Sequence, residues 1–195
     1  MTEPPLLALY GAAVSRGGRR IVEGATLVLR RGEAVILRGA NGAGKSTLLA
    51  AIAGLAPLSA GRMERRVAAA ALGHANGLRA ALSIAEHLRL WRALYRFTDE
   101  DARAATSALL LEALLDKRAG VLSAGQARRA AFLRVAVSGA GLLLLDEPTA
   151  GMDAQSAAAT VRVVEERLRA GAAAIIATHE AFPLAGARPI ALGAP

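Results

Sequence analysis

The sequence predicts an α/β fold, with a parallel-sheet core interrupted by a block of helices. Three observations predict it. The short apolar stretch 34–37 runs straight into a glycine-rich loop and then into a helical stretch, 46–54. Residues 142–145 and 173–177 are apolar throughout, the pattern of strands buried on both faces of a parallel sheet. Between these flanks the middle third of the chain reads as helical. At 195 residues, one domain is expected over residues 1–195, with a helical subdomain at about 76–138.

In chain order, the first forty residues read as β-rich. Residues 6–10 are an apolar run, Gly17-Gly18 marks a turn, and residues 21–30 alternate loosely between apolar and polar. Arg31-Gly32-Glu33 is another turn before the strand at 34–37. The helix that follows is stopped by Gly54 and Pro57. Ser83 and Glu86 stand three apart as a capping box, which opens a helix through about Phe97. Thr98 and Asp101 repeat the device for a second helix, ending near Leu115. A third begins near Ala124 and carries Arg128, Arg129 and Arg134. After Gly139 strand–helix alternation resumes, with a helix over 154–170 between the two late strands.

Composition removes several classes of function. Hydrophobic residues make up 54% of the chain, which fills a core and excludes disorder. The longest apolar runs, such as 67–72 and 172–177, fall far short of the ~18 residues that span a bilayer. No charged, apolar and small-residue succession of an export signal opens the chain, so a soluble, cytosolic protein is expected. Cysteine is absent, which excludes disulfide scaffolds, zinc–thiolate sites, iron–sulfur clusters and thiol nucleophiles. The net charge is +8, almost all of it from arginine, since Lys45 and Lys117 are the lysines. Such a balance admits nucleic acid, an anionic membrane surface or an acidic partner. Codon usage in a GC-rich genome produces it equally well.

The loop at 39–47 carries the chemistry. Its residues are Gly39, Ala40, Asn41, Gly42, Ala43, Gly44, Lys45, Ser46 and Thr47, which contain the pattern G-x-x-x-x-G-K-S. Glycines let the backbone curl so that successive N–H groups point at one phosphate, and the next helix offers its positive end to the same anion. Lys45 is placed to reach β- and γ-phosphates, and the Ser46 hydroxyl to ligate Mg²⁺. A second element is Asp146-Glu147, delivered by the apolar strand at 142–145. Asp146 is expected at the Mg²⁺ and Glu147 at the attacking water. The bland reading of Glu147 is a capping carboxylate at a strand-to-turn junction. Residues 122–126, Leu-Ser-Ala-Gly-Gln, precede a helix and are either an ordinary cap or an anion site. His179 follows the strand at 173–177 after Thr178.

Taken in this order, the segments resemble the nucleotide-binding subunit of an ABC transporter. Residues 39–47 match its Walker A loop, 122–126 its signature, 142–147 its Walker B strand with the catalytic glutamate, 150–153 its D-loop and His179 its switch histidine. The resemblance implies a P-loop NTPase of the ABC ATPase fold, with an N-terminal β subdomain and an inserted helical subdomain. It implies ATP and Mg²⁺ as cofactors and an ATP sandwich homodimer. In that dimer Ser123, Ala124, Gly125 and Gln126 of one protomer would face the γ-phosphate on the other, with Asp153 in the D-loop. Lys45, Glu147 and His179 would be catalytic, and Ser46 and Asp146 would hold the metal.

Two features depart from the family pattern. The usual adenine-stacking aromatic near the end of the first strand is replaced by Val14-Ser-Arg-Gly-Gly18; Arg16 is the candidate to stack its guanidinium plane there. The usual Q-loop glutamine falls on Ala75 within Leu72-Gly-His-Ala-Asn-Gly77, with Asn76 as the neighbouring alternative. The Leu-Gly-His stretch, residues 82–88, the Leu-Ser-Ala-Gly-Gln signature and an end soon after His179 resemble the haem-exporter ATPases of bacterial cytochrome c maturation. That resemblance implies integral membrane permease subunits and a peripheral position on the inner face of the cell membrane. It requires no direct nucleic-acid contact, and no direct haem ligation by His74, His87 or His179. The alternatives are the ATPase of another small transporter, for lipid, drug or metal, and a soluble ABC ATPase acting on DNA or ribosomes. A nucleotide-binding scaffold without turnover is opposed by Lys45, Asp146 and Glu147.

Overall fold

Leu7–Arg16 (β1) and Arg19–Leu29 (β2) form an antiparallel hairpin that turns at Gly17 and Gly18, both at positive φ. β1 outruns the apolar stretch that announces it, because shifts in register after Leu9, Ala12 and Val14 bend it along its partner. The computed structural model describes residues 3–192, in two compact units. The first comprises the described residues of Met1–His74, Ala140–Glu147 and Arg167–Pro195. The second comprises Ala75–Gly139 and Pro148–Glu166.

In the first unit, Ala60–Arg65 (β4) pairs with the free side of β1, giving the order β2-β1-β4. A second sheet contains Ala34–Arg38 (β3), Ala69–Leu72 (β5), Leu142–Asp146 (β6), Ala173–Ala177 (β7) and Arg188–Ala191 (β8). Its order is β5-β6-β7-β3-β8, and every pairing is parallel. All residues of β6 and β7 are buried, which explains why neither shows polar alternation. The helix after β3, Lys45–Ala53 (α1), places Leu48 and Ile52 in one core with Leu7, Leu29, Val35, Leu144 and Ile175. That core seats the β3–α1 loop.

The second unit holds Ile84–Tyr95 (α2), Asp99–Ala108 (α3), Ala124–Ala136 (α4) and the greater part of Ala154–Arg169 (α5). The capping boxes Ser83/Glu86 and Thr98/Asp101 form as the spacing predicts. Their helices end earlier than expected. α2 stops at Tyr95, where Arg96 turns into the left-handed region at φ 56. α3 stops at Ala108 rather than near Leu115. Leu109 and Leu111, on either side of Leu110, are both fully buried. The chain instead turns at Leu110, φ 53, and continues through a short 3₁₀ turn at Glu112–Leu114.

Candidate active site

The loop after β3 is built for close approach by something small and anionic. Gly39, Gly42 and Gly44 lie at φ 154, 87 and 89. A Cβ at Gly44 would come within 2.7 Å of Val22 Cγ2 and 2.8 Å of the Ile21 carbonyl oxygen, so both backbone angle and space demand glycine. Gly39, Ala40, Asn41 and Gly42 are exposed, whereas Ala43 and Gly44 are buried. α1 starts at Lys45 without a side-chain cap, unlike α2, α3 and α4. Its first-turn N–H groups are therefore left for an anion. Lys45 is buried and curls back over the loop. Its Nζ donates to the carbonyls of Gly39 (2.7 Å) and Ala40 (3.1 Å). Ser46 is exposed and Thr47 half-buried. Arg16 closes β1, exposed and opposite Arg19 across the hairpin.

Asp146 ends β6 opposite Ala177 and is only 5% exposed. The next residue, Glu147, has φ 45, an unusual angle for a side-chain-bearing residue and worth about 1–3 kcal/mol of strain. Its N–H donates to the Ala177 carbonyl (2.7 Å). The turn brings the carboxylate against the segment after β7. Thr178 Oγ1 donates to Oε2 (2.8 Å), while the His179 backbone N–H (3.2 Å) and ring Nδ1–H (2.8 Å) donate to Oε1. A carboxylate only accepts, so the His179 proton sits on Nδ1. Arg38, immediately before the loop, donates from Nη1 to the carbonyls of Thr178 (3.1 Å) and Glu180 (3.0 Å). Thr178 and Arg38 lie outside the sequence-predicted set. Adjacency to His179 points to the first, but no spacing rule points to the second.

The donor chemistry suits a hard cation. Ser46 offers a hydroxyl and Asp146 a carboxylate, the oxygen ligands Mg²⁺ prefers. Among the described residues no cluster of three His, Asp or Glu could hold a metal alone, so a divalent ion here would need phosphate and water oxygens as well.

Ser123, Ala124, Gly125, Gln126 and Asp153 belong to the second unit. Ser123 is the N-cap of α4. It accepts from the Gln126 N–H (3.3 Å), and Gln126 Oε1 accepts from the Ser123 N–H (3.0 Å). A hydroxyl that accepts one bond can still donate another. Gly125 packs on the backbone of Gly151, where an added Cβ would lie 2.1 Å from the carbonyl oxygen. Asp153 accepts from the Ser156 N–H (2.8 Å) and hydroxyl (3.1 Å), and Arg129 donates to that same hydroxyl (2.6 Å). The Ser156 N–H, helped by its hydroxyl and by the nearby Arg129 charge, holds the Asp153 carboxyl below the usual range. Asn76 Oδ1 accepts from the buried Arg128 Nη1 (3.0 Å).

The model of the ABC transporter family matches residues 22–150. This chain belongs to that family. Relatives of this ABC ATPase include the cytochrome c biogenesis ATP-binding export protein CcmA of Paracoccus denitrificans, 43% identical across 96% of this chain and 89% of the relative. The protein of the same name from Cereibacter sphaeroides is 45% identical across 95% and 88%. Among solved structures, an ATP-binding subunit of an ABC transporter superposes with a TM-score of 0.81 at 26% identity, covering 89% of this chain and 79% of that one. An ATP-binding protein of Pyrococcus furiosus reaches 0.83 at 22% identity, covering 95% and 96%. The fold is that of an ABC-type ATPase.

Proposed function

We propose that the chain is the ATP-hydrolysing subunit of a membrane ABC complex for cytochrome c maturation, acting in haem export or release of the haem-loaded chaperone. The observation that carries this reading is the identity of 43–45% to export proteins of that name, over nearly the whole of this chain. The geometry of residues 39–47, 146–147 and 178–179 supports hydrolysis rather than binding alone.

Lys45 leaves the carbonyls of Gly39 and Ala40 and donates to the β- and γ-phosphates, while the N–H groups of residues 42–47 and the start of α1 bind their oxygens. Arg16 lies against the adenine. Ser46 and Asp146 would hold Mg²⁺, which would supply charge neutralisation at the phosphates. Glu147 orients a water and takes its proton as the water oxygen attacks the γ-phosphorus; the bond to the β-phosphate oxygen breaks and ADP leaves. His179, hydrogen-bonded to Glu147, lies beside that water and the γ-phosphate. Ser123 Oγ and the Gly125 N–H of a second protomer complete the site in a homodimer, with Asp153 holding the D-loop between them.

Permease subunits in the inner membrane anchor the dimer on the cytoplasmic face. No helix among the described residues is long and apolar enough to cross a membrane. Haem is not ligated by this chain. His87 in particular is 2% exposed, with Nδ1 donating to the Ser83 carbonyl (2.8 Å) and Nε2 accepting from the Arg79 N–H (2.9 Å). The test is replacement of the native copy by Lys45→Ala in the host, followed by haem staining of membrane c-type cytochromes. Loss of c-type haem with b-type haem retained is expected; normal c-type cytochromes would sink the reading.

A further inference from the structure

Arg38 is absent from every pattern that identifies the site, yet its side chain spans two parts of it. It ends β3, so it is bonded directly to Gly39, the first residue of the phosphate loop. A single nitrogen, Nη1, donates to the carbonyls of Thr178 and Glu180 and so brackets His179 on both sides. The guanidinium is always charged, and charge-assisted bonds to carbonyls are stronger than neutral ones. Between those two carbonyls the chain also reaches inward: Thr178 Oγ1 and the His179 N–H and ring all donate to Glu147. The Thr178 hydroxyl also accepts from the Glu180 N–H (3.1 Å), closing the segment into a tight turn. This turn lies outside the regular pairing of β7, which ends at Ala177, so ladder hydrogen bonds do not fix it. Arg38 does.

We infer that Arg38 is a positioning residue for hydrolysis: it clamps the turn at 178–180 to the strand that carries the phosphate loop, and thereby sets the His179 ring against Glu147. This inference rests on the hydrolytic roles proposed for those two residues. Arg38 touches neither substrate nor the reacting atoms in this scheme. Its effect belongs on turnover, because a misplaced base and switch residue slow the chemical step while the phosphate loop still binds nucleotide.

The test uses two substitutions in the full-length protein. Arg38→Met keeps the aliphatic stem and removes both bonds; Arg38→Lys keeps a cation able to donate to both carbonyls. Expected for Arg38→Met is a fall in kcat of roughly tenfold with the KM for ATP within about twofold, and Arg38→Lys should recover most of that loss. The chain has three histidines, so a ¹⁵N-imidazole NMR spectrum follows His179 directly, with the buried His87 as an internal check on folding. In Arg38→Met the His179 signals should shift while those of His87 stay in place. Unmoved His179 signals, or a loss confined to KM, would overturn the inference. Shifted His179 signals with unchanged kcat would overturn instead the hydrolytic roles of Glu147 and His179, and with them Arg38's part in turnover.

Discussion

His179 Nδ1 lies 2.8 Å from Glu147 Oε1, so the segments that follow the neighbouring strands β6 and β7 are joined by a hydrogen bond from the ring to the carboxylate. Thr178 fills the other carboxylate oxygen. Glu147 holds its place through three donors and a left-handed backbone. A carboxylate fixed in this way suits the general-base role proposed for Glu147.

Glu147→Gln preserves the shape of that contact but removes the group that accepts a proton. Turnover should drop by roughly 100-fold or more, with ATP binding retained. The ATP-bound dimer should then accumulate, visible as a rise in scattering mass with ATP and Mg²⁺. Full turnover, or a strictly monomeric variant under those conditions, would count against the role of Glu147.

Gly125→Ala forces a methyl to within 2.1 Å of the Gly151 carbonyl oxygen, a backbone atom that cannot swing away. We expect a loss of about 1–3 kcal/mol in denaturant melts, the usual cost of overpacking. ATPase activity should fall further than stability alone explains, since the shift displaces the turn that leads to Asp153. A variant as stable and active as the parent would show that the contact is soft.

Asn76 and Ala75 differ sharply in what surrounds them. Asn76 Oδ1 accepts from the buried Arg128, whereas Ala75 is exposed. Asn76→Ala should cost about 1–2 kcal/mol by stripping Arg128 of a buried partner. Ala75→Gln should be tolerated and should raise Mg²⁺-dependent ATPase activity by restoring an amide oxygen. Magnesium titrations of both variants check this; loss of metal response in Asn76→Ala with no effect of Ala75→Gln would give the role to Asn76.

Carboxylates that accept backbone N–H groups give the stability an acid limb. Glu86, Asp101 and Asp153 each accept a backbone N–H, from Ser83, Thr98 and Ser156, which lowers their pKa below the ordinary 4.5 for glutamate and 3.8 for aspartate. A group whose folded value is depressed stabilises the fold fully above its unfolded value, and that contribution is lost as pH falls through the folded one. The thermal midpoint should therefore be flat above about pH 5 and decline below it. Glu86→Gln, which keeps an acceptor oxygen without titrating, should flatten that decline; an unchanged slope would rule out the Glu86 share.

What the sequence discloses follows from how local the cause is. The phosphate loop is legible because glycine, lysine and serine at fixed spacing answer a local steric demand, seen at Gly44 against Val22. The capping boxes are legible for the same reason, and β6 and β7 because burial on both faces leaves no polar alternation. β4 and β8 escape notice. β4 reads Ala-Gly-Arg-Met-Glu-Arg and is mostly exposed, while β8 carries a proline, so neither shows the pattern of a strand; only their partners make them one. The end of α3 is missed because the turn at Leu110, φ 53, has no glycine, proline or asparagine to mark it. Arg38 is missed because its partners lie at the other end of the chain.

The order β5-β6-β7-β3-β8 has a consequence for synthesis. The strand leading into the phosphate loop has β7 and β8 as its neighbours, and both are synthesised more than 130 residues after it. The β1–β2 hairpin and the capped helices can form as they emerge, but the seat of the loop cannot. ATP is thus no template for the growing polypeptide, and a message cut short ahead of residue 173 yields a product that nucleotide cannot rescue. Such a product would present residues 34–38 as an apolar strand with two open edges, prey for chaperones and proteases rather than a weak ATP binder.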